Sequence, residues 1–192
     1  MDLTVILGPM KSGKSLELVS LLSPLQYSTL SHTVYQSARH VRDTGVTSRT
    51  GGALETVKTH DLECALEAKV DVVGIDEVHM FTRTDMAVVH ELLARGTRVI
   101  AAGLDLDHRG RLFDPVSAIL ELGPQQVIYR RAVCDVCRDI TATHTQVLLG
   151  SGDPYLTELG SSQALPDDGT FSYEARCRTC VVLPDQDLPA LF

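Results

Sequence analysis

The sequence has no apolar run approaching the roughly 20 residues needed to cross a bilayer, although 44% of its 192 residues are hydrophobic. That leaves no candidate membrane span but ample material for a buried core. The opening stretch, MDLTVILGPMKSGKS, lacks the basic segment and small-residue cleavage site of an export signal, so a cytoplasmic location is expected. Positive charge is also scarce: 17 Lys and Arg stand against 25 Asp and Glu, a net charge of −8. Duplex-DNA binding draws its affinity mainly from Lys and Arg on phosphates, so this balance argues against it. Internal repeats and low-complexity tracts are absent. Cysteines are few, five in all, and without an export signal their pairing in C-x-x-C motifs favours metal binding over disulfides.

What remains reads as alternating strands and helices. Residues 3–7 (LTVIL), 33–36 (TVYQ), 71–76 (DVVGID), 97–104 (TRVIAAGL) and 125–133 (QQVIYRRAV) are candidate strands. Helical spacing follows Lys14, with Leu16, Val19, Leu22 and Leu25 as core positions. It recurs over 82–95, with Met86, Val89, Leu92 and Leu93, and stops at Gly96. Such alternation predicts an α/β fold, a mainly parallel sheet with helices on both faces. Residues 37–52 and 150–169 read as loops and 184–192 as a loose tail. Charge shifts at the first cysteine pair: residues 134–192 carry three basic and nine acidic side chains. The expected division is therefore 1–133, an α/β domain; 134–183, a second small domain; and 184–192, the tail.

GPMKSGKS at 8–15 fits G-x-x-x-x-G-K-[ST] and lies between a strand and a helix, the context that motif requires. Its glycines let the backbone curl so that successive N–H groups face one anion, and the helix N-terminus adds its dipole. Gly8, Pro9, Met10, Lys11, Ser12, Gly13, Lys14 and Ser15 are thus candidate residues for binding a nucleotide's phosphates, with Lys14 reaching the β- and γ-phosphates and Ser15 sitting on Mg²⁺. This makes the fold of P-loop NTPase type. Asp76 ends an apolar strand, where a Walker-B aspartate would hold Mg²⁺. Glu77 is a candidate general base beside the metal. Alternatively, this pair is a solvated strand end.

Cys134, Cys137, Cys177 and Cys180 form two C-x-x-C knuckles, a closed four-sulfur set suited to structural Zn²⁺. The long segment between them must leave the site and return. A redox dithiol or coincidental core cysteines are the alternatives. Cys64, in DLECALEA, reads as a helix core residue.

Taken in order, GPMKSGKSLEL (8–18), VTSRTG (46–51), DEVHMF (76–81), GLDLDHRGRLF (103–113), CDVC (134–137), THTQ (143–146) and YEARCRTC (173–180) resemble the zinc-containing, cellular type of thymidine kinase. The resemblance spans about Leu3 to Cys180. It implies transfer of the ATP γ-phosphate to the 5′-hydroxyl of thymidine, in nucleotide salvage, with ATP, Mg²⁺ and structural Zn²⁺. Glu77 would take the hydroxyl proton, and Val78 and His79 would flank the ATP site. Residues 138–176 would form a lasso over the base. Met10, Leu104, Phe113, Thr145 and Tyr173 would surround the nucleoside, and Arg109 would steady phosphate charge. The resemblance further implies a homo-tetramer or dimer, with no nucleic-acid or membrane partner. Leu104 and Phe113 also read as plain core, Arg109 as a loop-capping arginine and Tyr173 as packing beside the metal site.

Departures from the family pattern gather near the nucleoside. His79 stands for a glutamine, Met80 and His108 for aromatics, and Leu112 for a proline. Ser37-Ala38-Arg39 is the nearest match to a D-x-R stretch. These substitutions predict intact Mg-ATP binding with altered nucleoside binding, and a pH dependence through His79 and His108. The remaining histidines (His32, His40, His60, His90, His144) fall on surface or loop stretches. A kinase for another deoxynucleoside and a non-catalytic ATP-binding homologue remain as alternatives.

Overall fold

The computed structural model describes residues 2–40, 46–47, 53–157, 164–165 and 168–184. In chain order its elements are β1 (Leu3–Leu7), α1 (Lys14–Leu22), β2 (His32–Ser37), β3 (Val46–Thr47), β4 (Ala53–Leu54), β5 (Val57–Thr59), β6 (Val72–Asp76), α2 (Asp85–Ala94), β7 (Arg98–Gly103), α3 (Asp114–Glu121), β8 (Gln126–Tyr129), β9 (His144–Leu148) and β10 (Ser172–Arg176). Short 3₁₀ turns at Ser23–Tyr27, Glu63–Leu66 and Val78–Met80 link them.

A six-stranded sheet runs β5-β2-β6-β7-β1-β8, and every neighbouring pair in it is parallel. Parallel strands need crossovers and are buried on both faces. That is why β1 and β6 are buried at all five positions. Successive side chains of a strand point to opposite faces. Leu3, Val5 and Leu7 accordingly join the core beneath α2 and α3, with Val73, Ile75, Val99 and Ala101. Ile6 points the other way, into the layer with Val34, Ile100 and α1.

The register of α1 differs from the sequence expectation. Leu18, Val19 and Leu22 are buried, while Leu16 faces solvent. Leu25 lies beyond the helix in the Ser23–Tyr27 turn and packs only at the layer's edge. Pro24 cannot continue α1 regularly, so the last expected position leaves the helical face. The α2 positions Met86, Val89, Leu92 and Leu93 are all buried. The last candidate strand stops at Tyr129, and α3 was not foreseen.

A second unit follows β8. The antiparallel ribbon β9–β10 packs with the four-cysteine cluster, whose apolar surroundings are Ala132, Ala142 and Ala175. Cys64 is exposed, on the Glu63–Leu66 turn, and is not a core residue. His144 belongs to neither surface nor loop: it is buried on β9. Of the two expected loops, 37–52 contains β3, which pairs antiparallel with β4. Its residues 41–45 and 48–52 lie outside the described residues, as do 158–163, 166–167 and the tail from 185. No helix among the described residues is long and apolar enough to cross a membrane.

Candidate active site

The site forms where β1, β2, β6 and β7 end. At Gly8 the backbone has φ 146°, and a Cβ there would stand 2.3 Å from the Arg130 carbonyl oxygen. The chain can leave the sheet so tightly only because that side chain is missing. It then curls to Gly13, also at positive φ, which opens α1. Lys14 is buried, and its ammonium donates to the Pro9 carbonyl at 2.7 Å. Burial lowers its pKa, against the opposing charges of Glu77 and Asp76. The Ser12 hydroxyl is buried with no hydrogen-bond partner among the described residues. A buried orphan hydroxyl and a lysine turned onto its own loop are what a phosphate cradle offers an incoming polyanion.

Ser15 Oγ lies 3.4 Å from Asp76 Oδ1, so a hydroxyl and a carboxylate converge as Mg²⁺ ligands require. The other Asp76 oxygen accepts from Gln36 Nε2 at 2.9 Å. Burial first, then Glu77, pushes the Asp76 carboxyl up to about 7. Glu77 has left-handed backbone, φ 54°, a conformation a non-glycine residue adopts rarely. This turn carries its carboxylate away from the strand direction and into the wall of an adjoining cavity.

That cavity brings together most of the nucleoside residues expected from sequence. Met10, Leu104, Phe113, Thr145 and Tyr173 all line it. Of the departures from the family pattern, His79, Met80 and His108 line it too, whereas Leu112 does not and is exposed. Arg109 is not among its lining residues; its guanidinium is held by the Asp107 carboxylate at 2.7 Å. Val78 is fully buried in the core and packs against Gly103, while His79 faces the cavity. Thr145 ties cavity to phosphate loop, its Oγ1 accepting the Met10 N–H at 3.0 Å. Lys11 pairs with Asp135 at 2.8 Å. Leu104 and Phe113 are core and cavity wall at once.

His79 is neutral. Burial, then the charges of Lys14 and His40, hold its imidazole down to about 3. Its Nδ1 accepts the Leu104 N–H at 3.2 Å, so its proton sits on Nε2. The contact of Nδ1 with Glu77 Oε2 at 3.5 Å is therefore not an ion pair. Its ring packs on Phe113, with centroids 5.0 Å apart.

The sulfurs of Cys134, Cys137, Cys177 and Cys180 lie within 4.8 Å of one another, with Cys137 and Cys177 at 3.8 Å. A tetrahedron with Zn–S of about 2.3 Å has edges of about 3.8 Å, so the four residues could hold such an ion. Burial pushes the Cys134 thiol up, but backbone groups of Cys137, Cys177 and Val136 outweigh it and bring it down to about 6. That favours the thiolate a metal needs.

Gln36 and Asp135 were not singled out from sequence. Gln36 is unmarked in TVYQS, and only the β2–β6 register, which sets it opposite Asp76, exposes its role. Asp135 sits inside the first knuckle, a place where a carboxylate next to metal ligands was itself a readable signal.

A parallel sheet with a phosphate loop after its first strand, a Ser–Asp pair beside it and a mixed apolar and polar cavity defines a nucleotide-dependent phosphotransferase. Residues 1–181 match the family described as thymidine kinase, and the chain belongs to that family. A thymidine kinase of Bdellovibrio bacteriovorus is 33% identical over 193 residues, covering 97% of this chain and 88% of that one. Among solved structures, a DNA replication initiation factor aligns at 14% identity with a TM-score of 0.42, over 67% of this chain and 40% of that one. AMPPCP-bound DnaA from Aquifex aeolicus aligns at 16% identity and TM-score 0.42, over 68% and 40%. These two likenesses are too distant to carry an argument.

Proposed function

We propose that this chain transfers the γ-phosphate of ATP to the 5′-hydroxyl of thymidine, giving ADP and thymidine 5′-monophosphate for nucleotide salvage. The observation that carries this reading is the position of Glu77. It follows Asp76, which lies 3.4 Å from Ser15, and its own side chain reaches the cavity that Met10, Leu104 and Tyr173 line. One carboxylate therefore stands between the triphosphate cradle and the place for an acceptor.

The curled amides of 8–15, Lys14 and Ser12 hold the triphosphate. Ser15 and Asp76 would hold Mg²⁺, which would supply charge neutralisation for the triphosphate. Glu77 accepts the proton of the 5′-hydroxyl as its oxygen bonds to the γ-phosphorus and the bond to the ADP oxygen breaks. Apolar walls exclude the water that would otherwise compete for the phosphoryl group. Zn²⁺ in the four-cysteine site is structural in this reading, and 134–183 acts as a separate lobe from 1–133. A cytoplasmic homo-oligomer is expected on family grounds, and light scattering of the purified protein tests it.

A panel of nucleosides with labelled ATP tests the substrate. Thymidine and deoxyuridine are the expected acceptors; preference for a different deoxynucleoside would move the assignment to that substrate. Glu77→Gln is expected to keep ATP affinity and lower kcat by roughly 10²–10⁴. Unchanged turnover would remove Glu77 from the reaction.

A further inference from the structure

His108 lies on the loop between β7 and α3, and that loop is tied across itself by hydrogen bonds. The Asp107 carboxylate accepts the N–H groups of Arg109 at 2.9 Å and Arg111 at 3.0 Å, as well as the Arg109 guanidinium. Asp107 N–H donates to the Arg111 carbonyl at 2.7 Å, and Phe113 N–H to the Asp105 carbonyl at 3.1 Å. Leu106 and Leu112 bridge across the loop. A side chain at its tip is thus presented from a fixed frame.

The His108 ring is buried and meets the other lobe. Its Nε2 lies 2.9 Å from the Thr157 carbonyl oxygen. A carbonyl only accepts, so His108 is the donor. Its ring sits 5.1 Å from that of Tyr155, which in turn sits 5.1 Å from Phe171. Tyr155 is placed from behind: Leu148 bridges to Pro154, and Tyr155 N–H donates to the Val147 carbonyl at 2.9 Å. Val147 and His108 both line the nucleoside cavity.

We propose that His108 is a positioning residue, a latch by which the nucleotide-binding lobe holds segment 155–157 against the nucleoside cavity. The segment leaves β9 and doubles back beside it. Its link across to the loop before α3 is the His108 hydrogen bond together with the ring contact. Segment 155–157 does not itself line the cavity but packs behind two residues that do, Val147 and His108, so releasing the bond loosens the support of that side while leaving the phosphate loop, Asp76 and Glu77 untouched. The expected kinetic mark is therefore on nucleoside affinity. This inference rests on the kinase reading for its kinetic consequence but not for its structural one.

Two substitutions separate bond from ring. His108→Phe keeps a ring beside Tyr155 and deletes the donor. His108→Gln deletes the ring and carries an amide donor to about the reach of Nε2. A single hydrogen bond is expected to move thymidine KM by about three- to tenfold in His108→Phe, with ATP KM and kcat within about twofold of wild type, and His108→Gln is expected to restore it. Hydrogen exchange at the Tyr155 amide, followed in the unliganded proteins, is expected to speed up in His108→Phe by a similar factor and to return in His108→Gln. The latch is overturned if His108→Phe leaves both thymidine KM and Tyr155 exchange unchanged. It is equally overturned if the two variants loosen the segment alike, since packing and not the bond would then be at work. Exchange judges the latch even if wild-type protein phosphorylated no nucleoside, the result that would sink the kinase reading instead.

Discussion

Asp76 sets function against stability. Its carboxyl is pushed up to about 7 by burial and by Glu77, from an ordinary value near 3.9. Between about pH 4 and 7 the folded protein holds a proton that the unfolded chain releases, so the associated stability is complete below pH 4 and is lost as pH rises through 7. Asp76→Asn, neutral throughout and still able to accept from Gln36, is expected to melt several degrees above wild type at pH 8, the gap closing towards pH 4, with Mg²⁺-dependent turnover lost. Calorimetry across that range checks it; equal melting temperatures at pH 8 would contradict the stated cause. The reactive half of the site was legible because strand, Gly-rich turn and terminal carboxylate are contiguous in sequence. Gln36 was not, because its meaning depends on a partner 40 residues away.

At the scale of elements, α1 shows what a pattern can and cannot specify. Leu16, Leu18, Val19, Leu21 and Leu22 are apolar nearly all round the helix, so spacing alone leaves the buried face ambiguous. The sheet decides, because Ile6, Val34 and Ile100 offer one surface to pack on. Leu18→Ala is expected to destabilise by about 2–5 kcal/mol and Leu16→Ala by less than about 1, measured by urea unfolding. Similar losses at both would mean the helix is rotated from the face described. The helix α3 did carry a signal, Pro115 in its first turn and Gly123 just past its end, but at eight residues it offered too few turns to stand out. The ribbon β9–β10 had no comparable local signal: its strands lie far apart in sequence and meet only through long-range pairing.

On the scale of the whole molecule, the residues around the four cysteines are tied to the phosphate loop. Asp135, between Cys134 and Cys137, accepts from Lys11 at 2.8 Å and from the Ala175 N–H at 2.7 Å, and Thr145 holds Met10. On the reading that the four cysteines hold Zn²⁺, a chelator that strips it is therefore expected to weaken Mg-ATP binding as well as to lower melting temperature. The half-exposed Lys11–Asp135 pair is worth about 0.2–1 kcal/mol, so Asp135→Asn, with metal retained, is expected to weaken ATP by no more than about fivefold. Titration calorimetry beside metal analysis checks both, and ATP affinity indifferent to metal content would show the two units to be mechanically independent.

Because all six strands of the main sheet point the same way, their starting ends share one rim, opposite the catalytic one. There Asp71 receives Ser31 and Asp2 receives Arg98, at the end of the sheet away from the phosphate loop, Asp76 and Glu77. A fluorophore, tether or grafted module carried on that rim would report on or immobilise the working enzyme without entering its chemistry.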